Sequence, residues 1–127
     1  MKIIWGLIYN LVILPVLYFL VLIGTLFNSK LREGFIGRFY SISTLRSFFS
    51  GKNRPREVYW FHVASHGEFQ QALPVIKGLK EIEPSCLVLV SFFSPSGFNH
   101  AGHELVDCKL YLPFDFIWTV QKTLNII

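Results

Sequence analysis

Two short segments carry the residues best suited to chemistry, Ser65-His66-Gly67-Glu68 and Ser94-Pro95-Ser96-Gly97. Each sets hydroxyl-bearing residues beside a glycine, and the first adds an imidazole and a carboxylate. A carboxylate at the mouth of an open site can act as a general base, taking the proton of an attacking hydroxyl. Glu68 is that candidate. Its competing role is helix capping, because an acidic residue in a first helical turn stabilises the macrodipole by about 0.3–1 kcal/mol. Ser65, Ser94 and Ser96 have no G-x-S-x-G elbow around them, so they read as caps and hydrogen-bond donors to a ligand rather than as nucleophiles. His62, His66, Glu68, His100 and His103 offer metal-ligand atom types, but the spacing fits no zinc pattern. His66-Gly67-Glu68 is the H-x-E half of the zinc deaminase signature, and no C-x-x-C completes it. We therefore expect no metal, with His100 and His103 as exposed helix residues. Neither G-x-G-x-x-G nor G-x-x-x-x-G-K-[ST] occurs, which removes the main support for a dinucleotide-dependent reductase or a P-loop protein.

These segments need strands and helices to position them. After the turn-rich Ser50-Gly51-Lys52-Asn53-Arg54-Pro55, the β-branched and aromatic run Val58 to Val63 predicts a strand buried on both faces. Glu68 to Ile82 puts Phe69, Leu73, Ile76, Leu79 and Ile82 at helical spacing, with a bend expected at Pro74. Cys86 to Phe93 predicts a second strand, Phe98 to Leu105 a short helix, Lys109 to Leu112 a third strand, and Phe116 to Leu124 a last helix. The order β-α-β-α-β-α implies a parallel sheet with right-handed crossovers, a Rossmann-like α/β unit. Ligands of such sheets bind beyond the carboxyl ends of the strands. Both loops belong at that edge, side by side, where helix N-termini favour a carboxylate or phosphate. Ser65, Gly67, Ser94, Ser96 and Gly97 are the substrate-binding candidates, with Glu68 as the catalytic one.

The hydrophobic fraction of 52% and mean hydropathy of +0.45 are high, and the excess lies before residue 28. Ile3 to Phe27 carries no charge, enough to cross a bilayer as a helix, with Pro15 expected to kink it. The short n-region and missing small-residue cleavage site argue against a cleaved signal peptide. A basic stretch follows, and Lys30, Arg32, Arg38 and Arg46 are expected at the membrane surface against anionic lipid rather than on nucleic acid. By the positive-inside rule this side is cytoplasmic, whether the anchor spans or lies in the interface. Cys86 and Cys108 fall in segments read as neighbouring buried strands, free thiols in a reducing compartment. The expected organisation is a membrane anchor helix over 1–27, a basic juxtamembrane linker over 28–57 and a partial Rossmann-like domain over 58–127.

Four motifs in order carry a family resemblance: Trp60-Phe61-His62-Val63-Ala64-Ser65-His66-Gly67-Glu68-Phe69, Pro74-Val75-Ile76, Ser91-Phe92-Phe93-Ser94-Pro95-Ser96-Gly97 and Tyr111-Leu112-Pro113-Phe114-Asp115. Together with the apolar anchor and Gly37-Arg38, they resemble the N-terminal domain of 3-deoxy-D-manno-octulosonic acid (Kdo) transferases. The resemblance implies part of a GT-B glycosyltransferase at the cell inner membrane, with its soluble part in the cytoplasm. It implies an inverting transfer of Kdo from CMP-Kdo to a lipid A precursor in lipopolysaccharide biosynthesis, with no cofactor or metal and with Glu68 as general base. It also implies a second domain, outside these residues, that holds most of the nucleotide sugar, so this stretch is expected to be inactive by itself. His66 stands where the family usually has an aliphatic residue. The alternative is a non-enzymatic membrane-anchored α/β module or truncated remnant.

Overall fold

The computed structural model describes residues 2–50, 57–102 and 104–127. Most of the turn expected at 50–55, and His103, lie outside the described residues. The apolar segment forms one helical rod: α1 (Lys2–Ile8), a π-helical segment (Tyr9–Ile13) and α2 (Leu14–Thr25). Leu14 N–H bonds to the Tyr9 carbonyl, five residues back. Pro15 explains the wide turn, since its ring would crowd a carbonyl in the preceding turn of an ordinary α-helix and it has no N–H to donate. In place of the kink expected at Pro15, the structure shows a π turn just ahead of it.

Leu26 and Phe27 turn the chain, and Asn28 caps the next helix, its side-chain oxygen accepting from Lys30 N–H at 3.0 Å and Leu31 N–H at 3.2 Å. The stretch expected to be a linker is largely this helix, α3 (Ser29–Phe49), which buries Gly34, Ser41 and Leu45. Its packing face is narrow and partly polar. Ser41 Oγ donates to the Tyr111 carbonyl at 2.7 Å, and a Cβ on Gly37 would run into the Tyr111 ring.

The strands β1 (Val58–Val63), β2 (Leu87–Phe92) and β3 (Cys108–Tyr111) make a parallel sheet in the order β1-β2-β3. Helices α4 (His66–Ile82) and α5 (Pro95–His100) pack on one face, where Phe69, Ile76, Val88, Val90 and Phe92 form the core. Burying each such side chain contributes about 1.5–3 kcal/mol. On the other face Leu45 of α3 meets Leu89 and Leu110, beside Ile126 and Ile127, which follow α6 (Ile117–Leu124).

Two expectations change in detail. β1 is not buried on both faces: Val58 to Phe61 are half-buried and His62 is exposed, because β1 is an edge strand here. Helix α5 begins at Pro95 and ends at His100, earlier than the run from Phe98 to Leu105, because Ser94 caps it and Pro95 suits a first helical position. Helix α4 continues through Pro74. Cys86 and Cys108 are buried and form no disulfide.

Candidate functional site

The first loop joins β1 to α4. Ser65 is extended and caps the helix, its Oγ accepting from Glu68 N–H at 3.3 Å. Glu68 answers by accepting from Ala64 N–H through Oε2 at 2.6 Å. This is a variant of the capping box, displaced by one residue from the usual N-cap amide. Glu68 remains exposed at the carboxyl end of β1. The second loop repeats the device: Ser94 Oγ accepts from Gly97 N–H at 3.2 Å and lies 3.2 Å from Ser96 Oγ.

The two loops lie side by side, and Gly97 is the reason they can. A Cβ there would sit 2.8 Å from the Phe92 ring, 3.1 Å from the Ser65 carbonyl carbon and 3.3 Å from His66 N. Two of those neighbours are backbone and cannot swing aside. Ladder-like bonds continue past the strands, with Phe93 N–H on the Val63 carbonyl and Ser94 N–H on the Ala64 carbonyl, each 3.1 Å. His66 and His100 face one another with ring centroids 5.9 Å apart. His66 Nδ1 is buried with no partner among the described residues, and His100 Nδ1 lies 2.8 Å from the Ser96 carbonyl. Among the described residues no group of three or more His, Cys, Asp or Glu could hold a metal ion.

A third loop, 112–116, follows β3. Arg38 bridges it to the second, donating from Nη1 to the Leu112 carbonyl at 3.0 Å and from Nη2 to the Phe93 carbonyl at 3.1 Å. Its guanidinium also lies 4.5 Å from the Phe93 ring centroid. Burial lowers the Arg38 pKa from its ordinary value, although Tyr18 and Tyr111 oppose the shift. Arg38 therefore departs from its expected place among the membrane-surface cations: it is turned inward as a clamp. Lys30, Arg32 and Arg46 are exposed. Burial, then the nearby Glu33 carboxylate, pushes the Tyr111 hydroxyl up to about 12.

Between α2, α3 and the second and third loops lies a cavity of about 750 Å³. Leu17, Val21, Phe35 and Phe114 give it an apolar wall, while Arg38, Ser94, Ser96 and Asp115 are among its polar lining residues. Glu68 and Ser65 do not line it. The structure thus brings all six sequence-nominated residues, Ser65, Gly67, Glu68, Ser94, Ser96 and Gly97, to one edge of the sheet. Sequence reasoning missed the Arg38 clamp, the bonds of Tyr9 and Tyr18 to the third loop, and that of Asn10 to Ile117 at the start of the last helix. The available signal for the helix bonds was Tyr9, Asn10 and Tyr18, side chains with hydrogen-bonding groups in a mostly apolar run.

A parallel α/β sheet with capped loops gathered at its carboxyl edge, joined to a helix apolar and long enough to cross a bilayer, defines an α/β unit with a candidate ligand site and a candidate membrane anchor. The model of a glycosyltransferase N-terminal family, described as 3-deoxy-D-manno-octulosonic-acid transferase (Kdo transferase), matches residues 37–127, and the chain belongs to that family. It is of glycosyltransferase kind. No curated protein and no solved structure matches the chain.

Proposed function

We propose that this chain is the acceptor-side N-terminal part of an inverting Kdo transferase of the GT-B type, acting in lipopolysaccharide synthesis at the cytoplasmic face of the inner membrane. CMP-Kdo is the donor and a lipid A precursor the acceptor. The observation that carries the reading is the position of Glu68, exposed at the carboxyl end of β1 beside the Ser94–Gly97 loop. The bond from Ala64 uses one carboxylate oxygen and leaves the other for an acceptor hydroxyl. Glu68 takes that proton, the hydroxyl oxygen bonds to the anomeric carbon of Kdo, and the bond to the phosphate oxygen of CMP breaks with its electron pair. Ser65, Ser96 and the backbone N–H groups of the two loops orient the acceptor. Lys30, Arg32 and Arg46 hold the unit against anionic lipid, each contributing about 1 kcal/mol near the surface. The half that binds most of CMP-Kdo lies outside these residues.

The Ala64 and Ser65 bonds also favour a second reading, a non-enzymatic membrane-anchored α/β module, because capping alone accounts for Ser65 and Glu68. Glu68→Gln separates the two. Glutamine keeps an acceptor for Ala64 N–H but cannot serve as a base. With the nucleotide-sugar half supplied, transfer from CMP-Kdo to lipid acceptor should fall by about 10²–10⁴-fold in this variant and in Glu68→Ala, with membrane attachment intact. Turnover at the unsubstituted rate would refute the base assignment.

A further inference from the structure

From Tyr9 onward the apolar helix is fastened to the α/β unit at several points, not at one end. Tyr9 Oη donates to Asp115 Oδ2 at 2.6 Å, Ile117 N–H donates to Asn10 Oδ1 at 2.8 Å, and Asp115 N–H donates to Tyr18 Oη at 3.1 Å. The Tyr18 ring meets Phe114 edge-on at 4.9 Å and lies 5.3 Å from Phe116. Leu14, between the two tyrosines, is 2% exposed. Past Thr25 the chain reverses, and α3 packs back along α2, with Gly24 in close approach to Leu31.

From Tyr9 to Thr25 the helix covers about 24 Å. Were its axis along the bilayer normal, the third loop, bonded to both Tyr18 and Tyr9, would be carried between about 10 and 24 Å into a hydrocarbon core roughly 30 Å thick. Asp115, Arg38 and the irregular backbone of 112–116 would go with it. Lipid cannot satisfy such backbone groups, and charged side chains at that depth are strongly disfavoured. We infer that the helix Lys2–Thr25 lies in the plane of the membrane surface, one side docked on the α/β unit and the other immersed in an anionic phospholipid leaflet, so that both ends of the helix are on the same side of the membrane. The lipid face is already formed: Ile4, Leu11, Phe19, Leu20, Leu26 and Phe27 are between 60% and 86% exposed. Trp118, stacked on Phe116 at 4.7 Å, and Phe39, 4.8 Å from Phe114, extend the aromatic surface at the seam between helix and unit. Rings at such a border suit the headgroup level. Lys30 and Arg32 follow directly after the rod, where they meet anionic headgroups. A helix lying this way sinks about 5–10 Å into the boundary.

This orientation rests on the membrane attachment proposed above. Single nitroxide labels at Ile4→Cys, Leu11→Cys and Leu20→Cys, in the full chain bound to phosphatidylethanolamine and phosphatidylglycerol vesicles, test it by relaxation-based depth measurement. The buried native thiols are left in place, and the unsubstituted chain serves as the labelling control. Equal depths at all three sites are expected. A label at Leu11→Cys about 10 Å deeper than that at Ile4→Cys, as along a crossing helix, would overturn the inference. A cysteine appended ahead of Met1 should react with a membrane-impermeant maleimide in inverted vesicles and be protected in spheroplasts; the opposite pattern also overturns it. Failure to float with the vesicles removes the attachment itself, whereas flotation with unequal depths removes only the in-plane placement.

Discussion

The first and third loops stand at the same edge of the sheet and are held in opposite ways. Ser65 to Glu68 is tied by its own neighbours: Ser65 Oγ to Glu68 N–H and Glu68 Oε2 to Ala64 N–H, bonds that span three and four residues. The 112–116 loop is tied from far away in the chain, by Arg38, Tyr9 and Tyr18, with Asn10 holding the first residue of α6 just beyond it. A loop that carries its own cap keeps its shape when distant parts move, which suits a reactive carboxylate. A loop held by distant helices reports where those helices are, which suits the junction with a membrane.

Gly97→Ala should have the largest effect on stability, because its Cβ meets Ser65 and His66 backbone that cannot yield. Overpacking of this kind costs about 1–3 kcal/mol, and a urea melt should read the upper half of that range. A melt unchanged from the parent would mean the first and second loops are not in contact as described. Arg38→Met keeps much of the side-chain stem but strips donors from the Leu112 and Phe93 carbonyls, at about 2 kcal/mol. Amide exchange should quicken at 112–116 while remaining unchanged at Ser65 to Glu68; equal quickening in both would erase the contrast between the loops. Smallest is Ser65→Ala, which removes the α4 cap for about 1 kcal/mol and should leave exchange in the third loop untouched. Thermal melts of the two single variants and their combination should add, since Arg38 and Ser65 share no hydrogen-bond partner.

The same contrast explains which parts of the molecule are legible in its sequence. The strand at Val58 to Val63 and the order of the sheet follow from local patterning, and the Ser65 cap follows from a spacing of three residues. Helix α3 was hidden because its packing face is Gly34, Arg38, Ser41 and Leu45, where only the last is a large apolar residue, so hydrophobic periodicity is weak there. The half-burial of β1 was hidden too, since a β-branched aromatic run looks alike at an edge and in the middle of a sheet. The Arg38 clamp joins residues 55 and 74 positions apart and the Tyr9 bond joins residues 106 apart, and no spacing rule reaches that far.

The π-helical segment at Tyr9–Ile13 has an angular consequence. In an unbroken α-helix each residue advances about 100°, so two residues nine positions apart differ by about half a turn and look in opposite directions. Inserting one residue without its share of rotation shifts that phase by about 100°, enough for the hydroxyls of Tyr9 and Tyr18 to converge on a single aspartate. Pro15 thereby does more than interrupt a hydrogen-bond ladder: it indexes the N-terminal turns of the rod. Excising one residue from the wide turn would swing Tyr9 and Asn10 away from the sheet while leaving composition and hydropathy almost unchanged.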